Sequence, residues 1–297
     1  MSAFRPRSDG VGRLGARAAA LALATLLAWA GAGRADAPGR VVSINLCTDQ
    51  LALMLAAPGQ LVSVSRLSQD RRSSPMAAQA AALPGNSALA EDVYLHRPDL
   101  VLAGTFTSRA TVSMLRRLGV KVVELPPVTS LGEVADRLRT VGAALGREAE
   151  AGRAVARFEA DLAALRVELA ARPRAALYYA NGYTSGDRTL AGAIIAAAGF
   201  ANVATELGLS RGGHLPLERL VLAAPALVVT GRPHRGAARA EDVLRHPALA
   251  ALGRAQAVTT DRDWICGTPH VLRAVREMAA TRSACAADAH ESGGARR

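Results

Sequence analysis

Apolar positions change their period along this chain, and each change marks the edge of an element. Arg40-Val-Val-Ser-Ile-Asn45 and Leu61-Val-Ser-Val-Ser65 are short, nearly continuous apolar runs of the kind that form buried strands. Between them, Thr48–Ala57 reads as a helix closed by Pro58-Gly59. Residues 66–86 are polar and alanine-rich without a clear period, which predicts loop with a short helix. The pattern then predicts a short helix at 91–96, a strand at 100–103, a helix at 108–118 and a strand at 120–124, before Pro126-Pro127. A second series follows Pro173: strand 175–180, helix 189–198, helix 217–223, strand 226–230, short helix 240–246, strand 257–260 and a last helix after Pro269, over 269–284. Strands that alternate with helices predict parallel sheets covered on both faces.

The two series are joined by helical sequence. Leu131, Val134, Leu138, Val141 and Leu145 share one face of a helix over 130–145, and Gly146 breaks it from the next. In that next run Val155, Phe158, Leu162, Leu165 and Leu169 recur at spacings of three and four, with no proline from Arg147 to Ala171. A continuous helix over those residues would be a rod of roughly 37 Å. The fold expected is therefore α/β: two Rossmann-like lobes with parallel sheets, joined by one long α-helix. The divisions expected are a signal peptide at 1–35, an N-terminal lobe at 36–129, linking helices at 130–172, a C-terminal lobe at 173–285 and a disordered tail at 286–297.

Composition refines this picture at three points. Residues 1–35 combine four arginines before residue 18, an apolar centre from Ala18 to Ala30 and small residues up to Ala35, the layout of a cleavable secretory signal. That segment carries five arginines and one aspartate, so the formal charge of +11 falls to about +7 in the remainder. The remaining arginines are scattered and aromatics make up 3% of the chain, which argues against nucleic acid as a partner. Of the three cysteines, Cys47, Cys266 and Cys285, the last two sit at opposite ends of a predicted helix, and no pairing follows from spacing.

Strand exits nominate the binding residues, because ligands of parallel α/β sheets bind beyond the carboxyl ends of the strands. That rule gives Cys47, Thr48, Asp49, Arg66 and Phe106 in the first series, and Tyr183, Arg232, Trp264 and Cys266 in the second, with His214 within reach. Thr48 or Asp49 could equally cap the following helix, and His214 and His234 read as polar lining or surface, with metal ligation the lesser alternative. Cys47 and Cys266 would face each other across the cleft as two free thiols, able to hold a soft metal or simply buried and inert. No metal site or cofactor is assigned.

An internal repeat ties the halves together. Glu91-Asp-Val-Tyr-Leu-His-Arg-Pro-Asp-Leu-Val-Leu-Ala-Gly104 aligns with Glu218-Arg-Leu-Val-Leu-Ala-Ala-Pro-Ala-Leu-Val-Val-Thr-Gly231, matching Glu, Leu, Pro, Leu, Val and Gly. With this repeat and the joining helix, the chain from Arg40 to about Cys285 resembles the periplasmic substrate-binding proteins of ABC importers for cobalamin and ferric siderophores. The resemblance implies a non-catalytic receptor that passes a small-molecule metal chelate to an ABC transporter permease and ATPase complex. It also implies that Glu91 and Glu218 dock onto permease arginines and that Trp264 is an aromatic at the cleft edge. Where cobalamin binders carry tryptophans before the first docking glutamate and after the next strand, this chain has Pro84-Gly-Asn-Ser-Ala88 and Gly104-Thr-Phe-Thr107. Arg66, Arg188 and Arg232 instead suit an anionic iron chelate. The alternative is a transferase-type enzyme with two Rossmann-like lobes, but no glycine-rich phosphate turn follows the first strand.

Overall fold

The computed structural model describes residues 37–167, 169–232, 236, 238–252, 256–258 and 261–294; the expected export signal at 1–35 and His234 lie outside them, as do the side chains beyond residue 284. The first series forms strands β1 (Val41–Ser43), β2 (Leu61–Ser65), β3 (Gly85–Asn86), β4 (Leu100–Gly104) and β5 (Lys121–Leu125). Its helices are α1 (Leu46–Leu55), α2 (Ala77–Ala80), α3 (Ala90–Leu95) and α4 (Arg109–Arg117). Two joining helices follow, α5 (Gly132–Leu145) and α6 (Glu148–Ala164). The second series holds β6 (Arg174–Tyr178), β7 (Tyr183–Thr184), β8 (Ala201–Asn202), β9 (Gly213–His214), β10 (Leu227–Thr230) and β11 (Gln256–Val258). Its helices are α7 (Leu190–Ala197), α8 (Val203–Glu206), α9 (Leu217–Ala223), α10 (Pro247–Ala251), α11 (Asp261–Ile265) and α12 (Val271–Gly294). The chain is thus α/β as expected. Its strands pair in parallel in two sheets of order β3-β2-β1-β4-β5 and β11-β10-β6-β8, beside a small antiparallel β7-β9 ribbon.

Read from one edge, the second sheet repeats the order of the first without β3, with β8, β6, β10 and β11 standing for β2, β1, β4 and β5. The repeat extends to atomic detail. Arg97 and Ala224, at the same place in the two copies, both adopt a left-handed conformation (φ 48° and 43°) just before a proline, which disfavours a right-handed helical residue there. The arginine that opens each sheet closes the same helix end: Arg40 Nη2 donates to His96 O at 2.7 Å, and Arg174 Nη1 donates to Ala223 O at 2.7 Å. Asp99 N and Ala226 N, again equivalent, donate to the carbonyls of those two arginines. Chance similarity of two helix-proline-strand units does not produce matched cap chemistry at matched positions.

Alternation along the strands sends side chains to two sides. Val42, Val101 and Ala103 face a core under α3 and α4, and Ala176, Tyr178 and Val228 face the corresponding core under α8, α9 and α10. The opposite faces share a third core. Val41, Leu100 and Leu102 join Ala175, Leu177, Leu227 and Val229 in one contiguous cluster with the buried faces of α1, α5, α6, α7 and α12. The lobes are therefore welded through their inner faces, and each large side chain buried there contributes roughly 1.5–3 kcal/mol against separation.

The joining rod is shorter than the sequence pattern predicts. Gly146 does break α5 from α6, at φ 67°, and Gly142 lets the two helices approach so closely that a Cβ there would overlap that of Ala151. However, α6 ends at Ala164, giving about 25 Å of helix in place of 37 Å. Val155 and Phe158 are buried, but Leu162 and Leu165 are only half-covered and Arg166 and Val167 are exposed. Leu162 and Leu165 still pack against the shared core, and the chain leaves the helix there to turn toward β6. At the far end the reverse occurs, and α12 runs to Gly294 through residues expected as tail.

Candidate functional site

The site is built where β1 and β4 leave the first sheet. Asn45 follows β1 and caps α1, its Oδ1 accepting from Cys47 N at 3.0 Å and Thr48 N at 3.4 Å. The cap is thus Asn45, and α1 starts at Leu46, two residues before the helix start predicted at Thr48. Gly104 ends β4 beside it, where a Cβ would lie 3.0 Å from Asn45 Nδ2. Thr105 N donates to Leu125 O at 3.0 Å and Gly104 N to Thr107 Oγ1 at 3.1 Å. This pinned loop holds Phe106 out at 87% exposure.

Opposite stands the segment 262–268 of the second series, which crosses to the first. Cys266 is disulfide-bonded to Cys47, with 5.1 Å between the Cα atoms. This corrects the expectation of two free thiols and of soft-metal binding by them. A strand exit from each half had put the two cysteines opposite each other, but not whether their sulfur atoms would meet. Beside the disulfide, Thr268 Oγ1 donates to Gln50 Oε1 at 3.2 Å and Arg262 Nη1 to Arg71 O at 3.4 Å. Gly267 lies so close to Val128 that a Cβ would overlap it. Asp263, buried, forms a forked pair with Arg273 of α12 at 2.7 and 3.1 Å, so the crossing segment is held at its base as well.

Between these walls is an open pocket of about 170 Å³, lined by Asn45, Cys47, Thr48, Leu51, Gly104, Thr105, Phe106, Leu125, Pro126, Pro127, Val128, Arg137, Ile265 and Gly267. Its lining is chiefly apolar. Among the described residues of the lining Arg137 brings the one full charge, its Nε donating to Pro126 O at 3.1 Å. Among the described residues no group of three or more His, Cys, Asp or Glu could hold a metal ion, and no helix is long and apolar enough to cross a membrane.

The structure brings together only some of the nominated residues. Cys47, Thr48 and Phe106 line the pocket, and Cys266 closes it through the disulfide. Asp49 does not reach it. Its Oδ2 accepts from Ser65 N at 3.2 Å and from Ser65 Oγ, and burial raises its pKa to about 6 despite the hydroxyls around it. It ties α1 to the end of β2. Trp264 is half-buried against the shared core, and its neighbour Ile265 is the one that reaches the pocket, because a helical turn swings consecutive side chains apart. Arg66 is exposed near Asp92, at the start of α3. Tyr183 and His214 pair across the β7-β9 ribbon, with His214 Nδ1 3.0 Å from Asn181 O, and Arg232 is exposed after β10. These four stand outside the pocket lining. Pro126, Pro127 and Val128 escaped the sequence reading, although the strand-exit rule applies to β5 as well. Arg137 and Ile265 sit on helices, where that rule gives no signal.

Glu91 and Glu218 are exposed in the first turns of α3 and α9. Each of these helices runs back along its sheet ahead of a strand, so each glutamate stands at the carboxyl edge of its own sheet. Those are the edges that the disulfide draws together. Burial and the charge of Glu218 both push the Tyr178 phenol up.

A family model described as periplasmic binding protein matches residues 41–262, the span that holds both sheets. The chain belongs to that family. A curated relative, the cobalamin-binding protein of Halobacterium salinarum, is 32% identical over 202 residues, 65% of this chain and 54% of the relative. The chain thus spans about half the length of the curated relatives it matches. Among solved structures, the periplasmic heme-binding protein of Roseiflexus sp. RS-1 is 21% identical with a TM-score of 0.69, over 83% of this chain and 98% of that one. The periplasmic vitamin B12 binding protein of Vibrio cholerae is 18% identical with a TM-score of 0.62, over 84% and 98%. At these identities the likeness is one of fold. By their names these relatives are binding proteins.

Proposed function

We propose that this chain is exported by cleavage of residues 1–35 and acts in the periplasm as the receptor of an ABC importer for a metal chelate, ferric-siderophore or cobalamin-like. In this reading residues 36–129 and 173–285 are the jaws, 130–172 join them, and Glu91 and Glu218 dock the receptor onto the permease. The observation that carries the reading is the pocket at the facing strand exits, with apolar walls and the exposed Phe106 at its mouth. A planar ligand with an apolar face suits such walls. The curated relative's name puts cobalamin first among the ligands to test, and Arg137 would meet an acidic group on a chelate. Because the jaws share one core and are tied at the disulfide, they rock by a few degrees rather than close widely.

Trp264 is the sole tryptophan after residue 35 and adjoins a pocket residue, so it reports occupancy. Titration of the purified mature chain with cyanocobalamin, haemin and a ferric hydroxamate, followed by Trp264 fluorescence and calorimetry, is expected to give one-to-one binding of at least one, micromolar or tighter. Failure of all three to bind would overturn the reading.

A further inference from the structure

Helix α4 buries Thr111, Val112 and Leu115 and turns Arg109, Ser113, Arg116 and Arg117 to solvent. It carries no acidic residue. Exposed arginines on the joining helices are matched, by contrast: Arg139 pairs with Asp136 and Glu159, and Arg153 with Glu150. On α4 only Arg116 has a carboxylate among the described residues. Its Nη2 donates to Glu124 Oε1 of β5 at 2.6 Å and to Val122 O at 3.4 Å. Arg117 reaches only the Met114 sulfur, at 3.9 Å. Arg109 is the first residue of the helix, where the backbone dipole repels a cation. Arg116 and Arg117 lie in the last turn, where the dipole favours them. Helix stability therefore accounts for those two and not for Arg109.

Spacings of four, seven and eight residues bring Ser113, Arg116 and Arg117 to the same side of α4 as Arg109. With Val112 and Glu124 they line an open concavity of about 520 Å³, which shares no lining residue with the pocket at the facing strand exits. We infer that this concavity binds a phosphate group, free in solution or on a phospholipid headgroup. Three guanidiniums against one carboxylate leave two positive charges uncompensated, and a phosphate monoester carries about −1.5 to −2 at neutral pH. Glu124 and the Val122 carbonyl hold Arg116 in place, so one guanidinium stands ready before the anion arrives. A single carboxylate occupies one such fork. The tetrahedral group presents oxygens in several directions, and so accepts from Arg109 and Arg117 as well, with the Ser113 hydroxyl as a further donor. Arg109 then answers the anion rather than the helix.

The test uses the full mature chain. Inorganic phosphate is titrated by phosphorus NMR line broadening, and flotation is measured with vesicles of phosphatidylcholine alone or with one-fifth phosphatidic acid. The Arg109→Gln/Arg117→Gln variant leaves the Arg116–Glu124 pair in place. Arg153→Gln/Arg157→Gln removes the same charge from the exposed face of α6. The parent is expected to bind phosphate with a Kd on the order of 1 mM or tighter, or to float with the acidic vesicles and not with the neutral ones. The α4 variant should lose at least roughly tenfold, the worth of one charge-assisted hydrogen bond, and the α6 variant should bind as the parent does. Both should melt with the parent, because all four arginines are exposed. Phosphate binding without flotation assigns the site to the free anion, and flotation without phosphate binding assigns it to a headgroup. The inference is overturned if the parent binds neither or if the α4 variant binds like the parent. Equal loss in the α6 variant would also overturn it, by making the attraction a property of the whole basic surface. Chelate titration should be the same in the parent and the α4 variant, so the two sites stand or fall separately.

Discussion

Removing the Cys47–Cys266 disulfide is the perturbation whose size can be worked most directly. The bond closes a loop of 219 residues, most of the folded chain. In the chain-entropy account a loop of that length restricts the unfolded ensemble by roughly 5 kcal/mol at 25 °C, and native disulfides typically deliver between about 2 and 5. Against a total stability of about 5–15 kcal/mol, this is a large share. For a protein of this size it corresponds to a fall in melting temperature of roughly 4–20 °C. The Cys47→Ser/Cys266→Ser double variant, and the parent held in reductant, should both show that fall by calorimetry, and reductant should leave the variant unchanged. A thiol titration of the unreduced parent in denaturant should find one free thiol of the three cysteines, that of Cys285. Three free thiols, or a melting temperature indifferent to reductant, would refute the pairing and reopen the cleft to two thiols.

Three further outcomes follow from the packing. The Asp49 carboxyl keeps its proton to about pH 6 in the fold but loses it near pH 4 when unfolded, so the native state binds more protons in that window and loses stability as pH rises through it, by about 3 kcal/mol in all. Asp49→Asn should therefore be more stable than the parent at pH 7 in urea unfolding, with the advantage vanishing below about pH 4; a constant difference across that range would contradict the assignment. Gly142→Ala gains about 1 kcal/mol of helix propensity but forces overlap with Ala151, at about 1–3 kcal/mol, so the urea midpoint should drop; a rise would mean that the α5–α6 approach is looser. Phe106→Ala should weaken binding of whichever chelate the titration identifies by about tenfold, yet leave melting within a degree, because that ring packs on little.

Much of the fold was legible because it rests on local chemistry. Leu217–Ala223 and Leu61–Ser65 fall where apolar period and flanking turn residues put them, and Ser108 and Thr189 cap the helices that follow them. What escaped depends on distant partners. The two-residue strands β3, β7, β8 and β9 are too short to carry a period of their own and exist because a neighbouring strand offers hydrogen bonds. The end of α6 is not marked by its apolar stripe, which runs on through Leu165 and Leu169. At the site, the strand-exit rule found Cys47, Thr48 and Phe106 but also Asp49, since it locates a loop without saying which way a side chain turns. The disulfide was invisible for the same reason. Spacing constrains cysteines near in sequence, whereas these two meet only after both sheets are built.

The central claim is that the crevice between two homologous halves, floored by the Cys47–Cys266 bond and walled by Phe106 and Ile265, holds the metal chelate. A crystal of the mature chain grown with cyanocobalamin, or with the chelate that binds, measured at the absorption edge of its metal, tests this most directly. The account predicts a single anomalous peak in that crevice with the ligand's flat face against Phe106. A peak on the outer face of either sheet, or at the β7-β9 ribbon beside Tyr183 and His214, would contradict it.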